Sequence, residues 1–114
     1  MKLNHLNLTV TDVLETRRLF ETYFGLTGRE EVGSENLAVM FDDDGSVITL
    51  MKGAEASYPN TFHVGFIQES EEQVNEINQR LKDDGFKVGP PKRFHGDWTF
   101  YFRAPGGFLV EVLC

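Results

Sequence analysis

Residues 4–10 read Asn4-His5-Leu6-Asn7-Leu8-Thr9-Val10, and residues 62–67 read Phe62-His63-Val64-Gly65-Phe66-Ile67. Both stretches alternate between two kinds of side chain, as a β-strand with one buried face does, and a helical pattern follows each of them. Their histidines occupy the same place in the pattern and are 58 positions apart, about half of the 114 residues. This correspondence predicts two similar modules whose equivalent strands carry equivalent side chains.

Each module is expected to contain a strand, a helix and about three further strands. The first helix is predicted from Thr11-Asp12 to Gly25 and the second from Ser70 to Asp83-Asp84-Gly85, because capping residues and glycines mark these ends. The further strands are predicted at 37–41, 46–51, 98–103 and 108–113, with weaker candidates near Arg29–Val32 and Lys87-Val88.

The turn glycines of the two modules, Gly45 and Gly107, are 62 positions apart, so about four residues are inserted in the second module. The predicted fold class is α+β. Two paired βαβββ modules, about 1–53 and 61–114, are expected to form a curved, cup-like mixed sheet with the helices on the outside, in a single domain of residues 1–114. The alternative is a generic α+β domain whose halves are alike by chance.

Composition excludes several classes of partner. Eleven basic and eighteen acidic side chains give a net charge of −7, which argues against nucleic acid and against an anionic membrane surface. No apolar run is long enough to cross a bilayer, and Met1-Lys2-Leu3 leads into a strand rather than into a signal peptide. Cys114 is the only cysteine, so no intrachain disulfide forms. We therefore expect a cytoplasmic protein.

Three side chains on the face opposite the apolar set are candidate metal ligands: His5, His63 and Glu111. Glu111 stands in the apolar run 108–113, where a carboxylate needs water, a partner or a metal. Two imidazoles and a carboxylate suit an open site for Fe(II), Mn(II), Ni(II), Co(II) or Zn(II). Thr49, at the position that corresponds to Glu111, is a poor ligand, so the remaining positions are open to water or substrate. The alternatives are a surface histidine at position 5 and a core histidine at position 63 that bonds a backbone carbonyl.

Other polar side chains are expected near the same face. Thr99, Tyr101 and Arg103 alternate with the aromatic residues of their strand, and we expect them to orient a substrate as catalytic residues. The loop from Lys92 to Asp97 concentrates positive charge in an acidic chain, which indicates either an anion-binding lid or a solvated loop. The candidate substrate-binding residues are Asn7, Thr9, Lys92, Arg93, His95 and Trp98.

These features resemble the vicinal oxygen chelate superfamily, also called the glyoxalase/bleomycin-resistance/extradiol dioxygenase superfamily. The resemblance covers essentially the whole chain and is carried by residues 5–12, 20–25, 62–66 and 101–111. The last segment joins an aromatic residue, a Pro-Gly turn and a glutamate. The resemblance implies that His5, His63 and Glu111 bind a divalent metal ion in a cup of paired modules. It also implies a homodimer, often with each metal shared between chains.

Within the superfamily, the chain looks most like the fosfomycin-resistance thiol transferases. It is similar to them in its Asn-His start, in the segment Gly96-Asp97, and in a hydroxyl and a tyrosine at Thr99 and Tyr101. Lys92 or Arg93 stands where these enzymes have a lysine.

The expected function is a metal-dependent enzyme acting on a small oxygenated substrate that is chelated at a divalent metal. Lyase, thiol transferase and dioxygenase types all remain open. Glyoxalase I needs a fourth protein ligand where Thr49 stands, and extradiol dioxygenases need a further catalytic histidine, for which His95 is the candidate. The alternative is a metal-free protein that binds drugs or other small molecules, as the bleomycin-resistance members of the superfamily do.

Overall fold

The computed structural model describes residues 1–29 and 34–114, and the chain divides into two compact units. Unit 1 comprises Met1–Ser57 and Pro105–Gly107, and unit 2 comprises Tyr58–Ala104 and Phe108–Cys114. Among the described residues, each unit contains one four-stranded sheet and one helix.

Unit 1 runs strand, helix, and three further strands. Its elements are β1 (His5–Val10), α1 (Val13–Phe24), β2 (Thr27–Gly28), β3 (Leu37–Phe41) and β4 (Val47–Lys52). The strand order is β1-β4-β3-β2, in which β1 and β4 are parallel and the other pairs are antiparallel.

Unit 2 repeats this arrangement. Its elements are β5 (His63–Ile67), α2 (Glu71–Asp83), β6 (Lys92–Phe94), β7 (Asp97–Arg103) and β8 (Leu109–Leu113). The strand order is β5-β8-β7-β6, again with one parallel pair, β5 and β8. The predicted α+β class with two βαβββ modules is therefore confirmed.

The strand registers confirm the spacing of the repeat. His5 pairs with Val47, and His63 pairs with Leu109. The histidines are 58 positions apart and their partners are 62 apart, which is the insertion of four residues that the turn glycines predict. In the same register Thr49 of unit 1 corresponds to Glu111 of unit 2.

Both helices begin and end at the predicted residues. Asp12 accepts a hydrogen bond from the Glu15 N–H at the start of α1, and Gly25, with φ of 67°, ends this helix in the left-handed region. Ser70 accepts one from the Gln73 N–H at the start of α2. Neither helix in the part of the chain that the structure describes is long and apolar enough to span a bilayer.

One side of each sheet packs on its helix and forms the core. The fully buried side chains include Leu8, Leu50 and Phe20 in unit 1, and Val110, Val112 and Leu81 in unit 2. Burying a side chain of this kind stabilises the fold by about 1.5–3 kcal/mol. Because side chains alternate along a strand, the three candidate ligands, His5, His63 and Glu111, project from the opposite side of the sheets.

Two predictions about local structure need correction. The predicted loop at Lys92–Asp97 is wrong, because residues 92–94 form β6, which pairs with β7 through a two-residue turn. The turn residues His95 and Gly96 both have positive φ, 51° and 87°, as a type I′ hairpin requires. Lys87-Val88 forms no strand. Most of the strand expected near Arg29–Val32, residues 30–32, lies outside the described residues, and the short strand before it is Thr27–Gly28.

Candidate functional site

Glu111 lies in the middle of β8, between Gly65 on β5 and Tyr101 on β7. Its side chain is only 13% exposed, so the carboxylate depends on protein partners for most of its solvation. The Thr99 hydroxyl donates to Oε2 over 2.8 Å. His63 approaches the other oxygen, with Nε2 at 3.6 Å from Oε1.

The contact of the other ring nitrogen, Nδ1, determines the tautomer of His63. Nδ1 lies 2.9 Å from the carbonyl oxygen of Thr61, which only accepts hydrogen bonds. Nδ1 therefore carries a hydrogen, and in the neutral ring Nε2 presents a lone pair toward Glu111. Orientation of a histidine by a backbone carbonyl in this way is typical of metal-binding imidazoles.

Two electron-rich atoms thus face each other across 3.6 Å, on an imidazole that is 41% exposed and a carboxylate that is 13% exposed. This arrangement is favourable only when a cation, either a proton or a metal ion, lies between or beside them. Two donors bound at about 2.1 Å to one tetrahedral metal are about 3.4 Å apart. The observed separation is close to this value and too long for a direct hydrogen bond. The pair therefore has the chemistry and the spacing of two ligands of one ion.

Tyr101 lies beside both groups. Its ring is 5.5 Å from the His63 ring, centroid to centroid, in an edge-to-face arrangement with an interplanar angle of 79°. Burial, and then hydrogen bonding to Glu111 and the charges of Glu111 and Asp97, raise the pKa of Tyr101. Its hydroxyl consequently stays protonated through the neutral range and can donate a hydrogen bond.

His5 is on the exposed side of β1 in unit 1, with Nδ1 at 2.8 Å from Oδ1 of Asn4. An amide oxygen accepts, so this histidine also carries its hydrogen on Nδ1 and presents Nε2. Further along the same face, the Thr49 hydroxyl donates to Oδ1 of Asn7 over 2.7 Å. Thr9 follows on this face and is exposed. Unit 1 thus offers one imidazole and no carboxylate at the positions that correspond to His63 and Glu111.

Unit 2 brings two of the three predicted ligands together, His63 and Glu111. Among residues 1–29 and 34–114, no group of three or more histidine, cysteine, aspartate and glutamate side chains is arranged to hold a metal ion. His63 and Glu111 form the pair described above. The residues present fit a divalent metal in donor type and in the spacing of this pair.

The positively charged residues before β7 divide between the two sides of the sheet. Arg93 forms an ion pair with Glu71 of α2, over 2.9 Å, and lies 5.3 Å above the Trp98 ring. Trp98 donates from Nε1 to Oδ1 of Asn75, also on α2, over 2.8 Å. Both side chains are therefore engaged on the helix side. Lys92 pairs in register with Thr99 and so projects from the side that carries Glu111.

Arg103 ends β7, and His95 lies in the turn that precedes it. Arg103 is exposed and pairs in register with Leu109, which in turn pairs with His63, so it belongs to the same face. His95 is in the turn before β7, with its ring 4.1 Å from that of Phe94.

Sequence reasoning missed two contributors to the site. The carbonyl of Thr61 orients His63, and Gly65 lies directly beside Glu111. A Cβ atom at Gly65 would meet Oε1 of Glu111 at 4.0 Å and Cδ2 of Leu113 at 3.6 Å, which are ordinary contacts. The role of Gly65 could have been predicted from the sequence, because a glycine inside a strand often marks the close approach of another group or of a ligand.

Comparison with known families decides the classification. The Glyoxalase/Bleomycin resistance protein/Dioxygenase superfamily matches residues 2–112, nearly the whole chain. The chain belongs to this superfamily. A solved structure described as a possible glyoxalase from Bacillus cereus is 60% identical, with a TM-score of 0.93, and the match covers 100% of this chain and 99% of that one.

More distant solved structures share the fold. FosX, a fosfomycin resistance protein from Mesorhizobium loti, is 18% identical with a TM-score of 0.79, over 98% of this chain and 90% of that one. A glyoxylase/bleomycin resistance protein/dioxygenase domain from Frankia sp. EAN1pec is 20% identical with a TM-score of 0.81, over 99% and 96%. The curated proteins contain no significant match.

Proposed function

We propose that this superfamily member is a metal-dependent enzyme that acts on a small oxygenated substrate, with His63, Glu111 and His5 as the protein ligands of a divalent ion. The observation that carries the proposal is the pair His63 Nε2 and Glu111 Oε1, two lone-pair atoms held 3.6 Å apart. A hydrogen bond orients each of the two side chains. His63 is bonded to the backbone carbonyl of Thr61, and Glu111 accepts from the hydroxyl of Thr99. Such support of both ligands is what a preorganised metal site requires.

Three protein donors leave coordination positions for two adjacent substrate oxygens. When bound, the ion supplies Lewis acidity that stabilises an oxyanion developing on the substrate. Tyr101 lies beside both ligands, and its hydroxyl, which is hydrogen-bonded to Glu111, would turn from the carboxylate to donate to a substrate oxygen. Arg103 and Lys92, on the same face, attract a substrate that carries negative charge.

The donor set is tested by titrating the chelator-treated protein with Mn²⁺ in a calorimeter. We expect one ion per chain, and loss of binding in His63→Ala, Glu111→Gln and His5→Ala. His95→Asn and Glu55→Gln serve as matched controls, because they remove a histidine and a carboxylate outside the proposed donor set. Unchanged binding in His63→Ala would refute the site. A wild-type protein that binds no metal but binds an aromatic drug tightly would instead be a metal-free binding protein.

We further propose that the protein is a homodimer, in which His5 completes the site of a second copy. Mixing His5→Ala and His63→Ala proteins tests this. If the donors come from different chains, each mixed dimer has one intact site, and random exchange restores about a quarter of the sites. If all three donors come from one chain, both sites of the mixed dimer are broken and binding is not restored. Light scattering gives the number of chains in the same samples.

A further inference from the structure

The hydroxyl of Thr99 contacts the proposed ligand glutamate rather than the open face. Thr99 is fully buried, with 0% of its surface exposed. Its Oγ1 lies 2.8 Å from Oε2 of Glu111 and 3.0 Å from the carbonyl oxygen of Val112. With its only hydrogen directed at these two acceptors and no surface exposed, the side chain cannot orient a substrate directly.

The two oxygens of Glu111 therefore have different environments. Oε2 accepts a hydrogen bond from a buried donor, and such a bond to a carboxylate is about twice as strong as one between neutral groups. Oε1 faces Nε2 of His63. Rotation that brought both oxygens to one ion would break the bond from Thr99 and leave its hydroxyl without its charged acceptor.

We propose that Thr99 is a positioning residue that holds Oε2, so that Glu111 binds the metal through Oε1 alone. This inference rests on the proposed function, since it concerns the same metal site. Tyr101 also hydrogen-bonds Glu111, but Thr99 is the fully buried donor and acts only through the carboxylate. A site in which one carboxylate occupies one coordination position keeps a further position open for the substrate.

Affinity for Mn²⁺ in Thr99→Val and Thr99→Ser tests the inference. Valine keeps the shape of threonine and removes the hydroxyl, and we expect it to weaken binding about 10- to 100-fold, as loss of a hydrogen bond to a ligand does. Serine keeps the hydroxyl and should bind within about threefold of wild type. Thr16→Val is the matched control. Thr16 is equally buried, and its hydroxyl donates to the carbonyl of Asp12 at the start of α1, which is not a proposed metal ligand.

A second readout separates positioning from general loosening of the fold. The infrared splitting between the two carboxylate stretches of the metal-loaded protein, assigned with Glu111→Gln, is wide when one oxygen binds and narrow when both do. We expect it to narrow in Thr99→Val and to stay wide in Thr99→Ser and Thr16→Val. If wild type binds metal but Thr99→Val matches it in affinity and splitting, the inference fails and the metal site stands. If wild type binds no metal, both fail.

Discussion

Replacing Glu111 by glutamine is expected to have two effects. The substitution should raise the free energy of unfolding of the metal-free protein, and it should abolish metal binding. Glutamine has the shape of glutamate, and its oxygen still accepts from Thr99. Its amide group then faces Nε2 of His63 and donates a hydrogen bond where two acceptors face each other in the wild type. The substitution also removes a charge from a side chain that is only 13% exposed.

The expected gain is the sum of opposing effects. A new hydrogen bond to His63 contributes about 1 kcal/mol, and removal of a largely buried charge contributes about 1 kcal/mol more. The bonds from Thr99 and Tyr101 lose their ionic partner and weaken by about 1 kcal/mol in total. We therefore expect the free energy of unfolding of the metal-free variant to rise by about 1 kcal/mol, or its Tm by about 4 °C.

The assay is thermal unfolding of wild type, Glu111→Gln and the exposed control Glu55→Gln, each with EDTA and with excess Mn²⁺. With EDTA, the Glu111 variant should be the most stable of the three. With metal, wild type and Glu55→Gln should gain stability, because the ligand binds only the native state, and Glu111→Gln should not. If the free energy of unfolding of metal-free Glu111→Gln is more than about 2 kcal/mol below that of wild type, the carboxylate stabilises the fold and the reasoning is wrong.

Three further substitutions test other parts of the site. Gly65→Ala should fold with unchanged or higher Tm, because a Cβ there makes ordinary contacts, but should weaken Mn²⁺ binding about tenfold by filling the space beside Oε1 of Glu111. Equal calorimetric affinity would contradict this. His95→Asn should raise the free energy of unfolding by about 0.5–1 kcal/mol, since asparagine tolerates the positive φ of 51°, and chemical denaturation measures it. Lys92→Ala should weaken binding of inorganic phosphate to the Mn²⁺-loaded protein about two- to fivefold. Arg93→Ala, whose charge is paired with Glu71, should not, and an equal loss in both variants would refute the assignment of Lys92 to the ligand face.

Much of the fold was predictable because its signals are local. Asp12, Ser70 and Gly25 mark helix ends through their own backbone and capping chemistry. The alternation around His5 and His63 predicts which side of each strand is buried, and the repeat predicts that both modules have the same succession of strand, helix and strands. These features need no knowledge of distant contacts.

Contacts between residues that are distant in sequence could not be predicted. The guanidinium of Arg93, a predicted substrate-binding residue, is paired with Glu71, 22 positions away, and composition alone cannot show this pairing. The alternation of β7 predicts that Thr99 lies on the open face of the sheet. It does not predict that the neighbouring Glu111 covers the Thr99 hydroxyl and accepts its hydrogen bond. The importance of Gly65 depends on the parallel register between β5 and β8. Local patterns leave that register undetermined.

The assignment of Glu111 and His63 to one metal ion is tested most directly by anomalous diffraction from crystals grown with Zn²⁺. We predict a peak about 2.0–2.2 Å from both Nε2 of His63 and Oε1 of Glu111, with Nε2 of a His5 as the third protein ligand. Density that placed the ion elsewhere, or that showed His63 and Glu111 joined directly with no metal beside them, would contradict the proposed site.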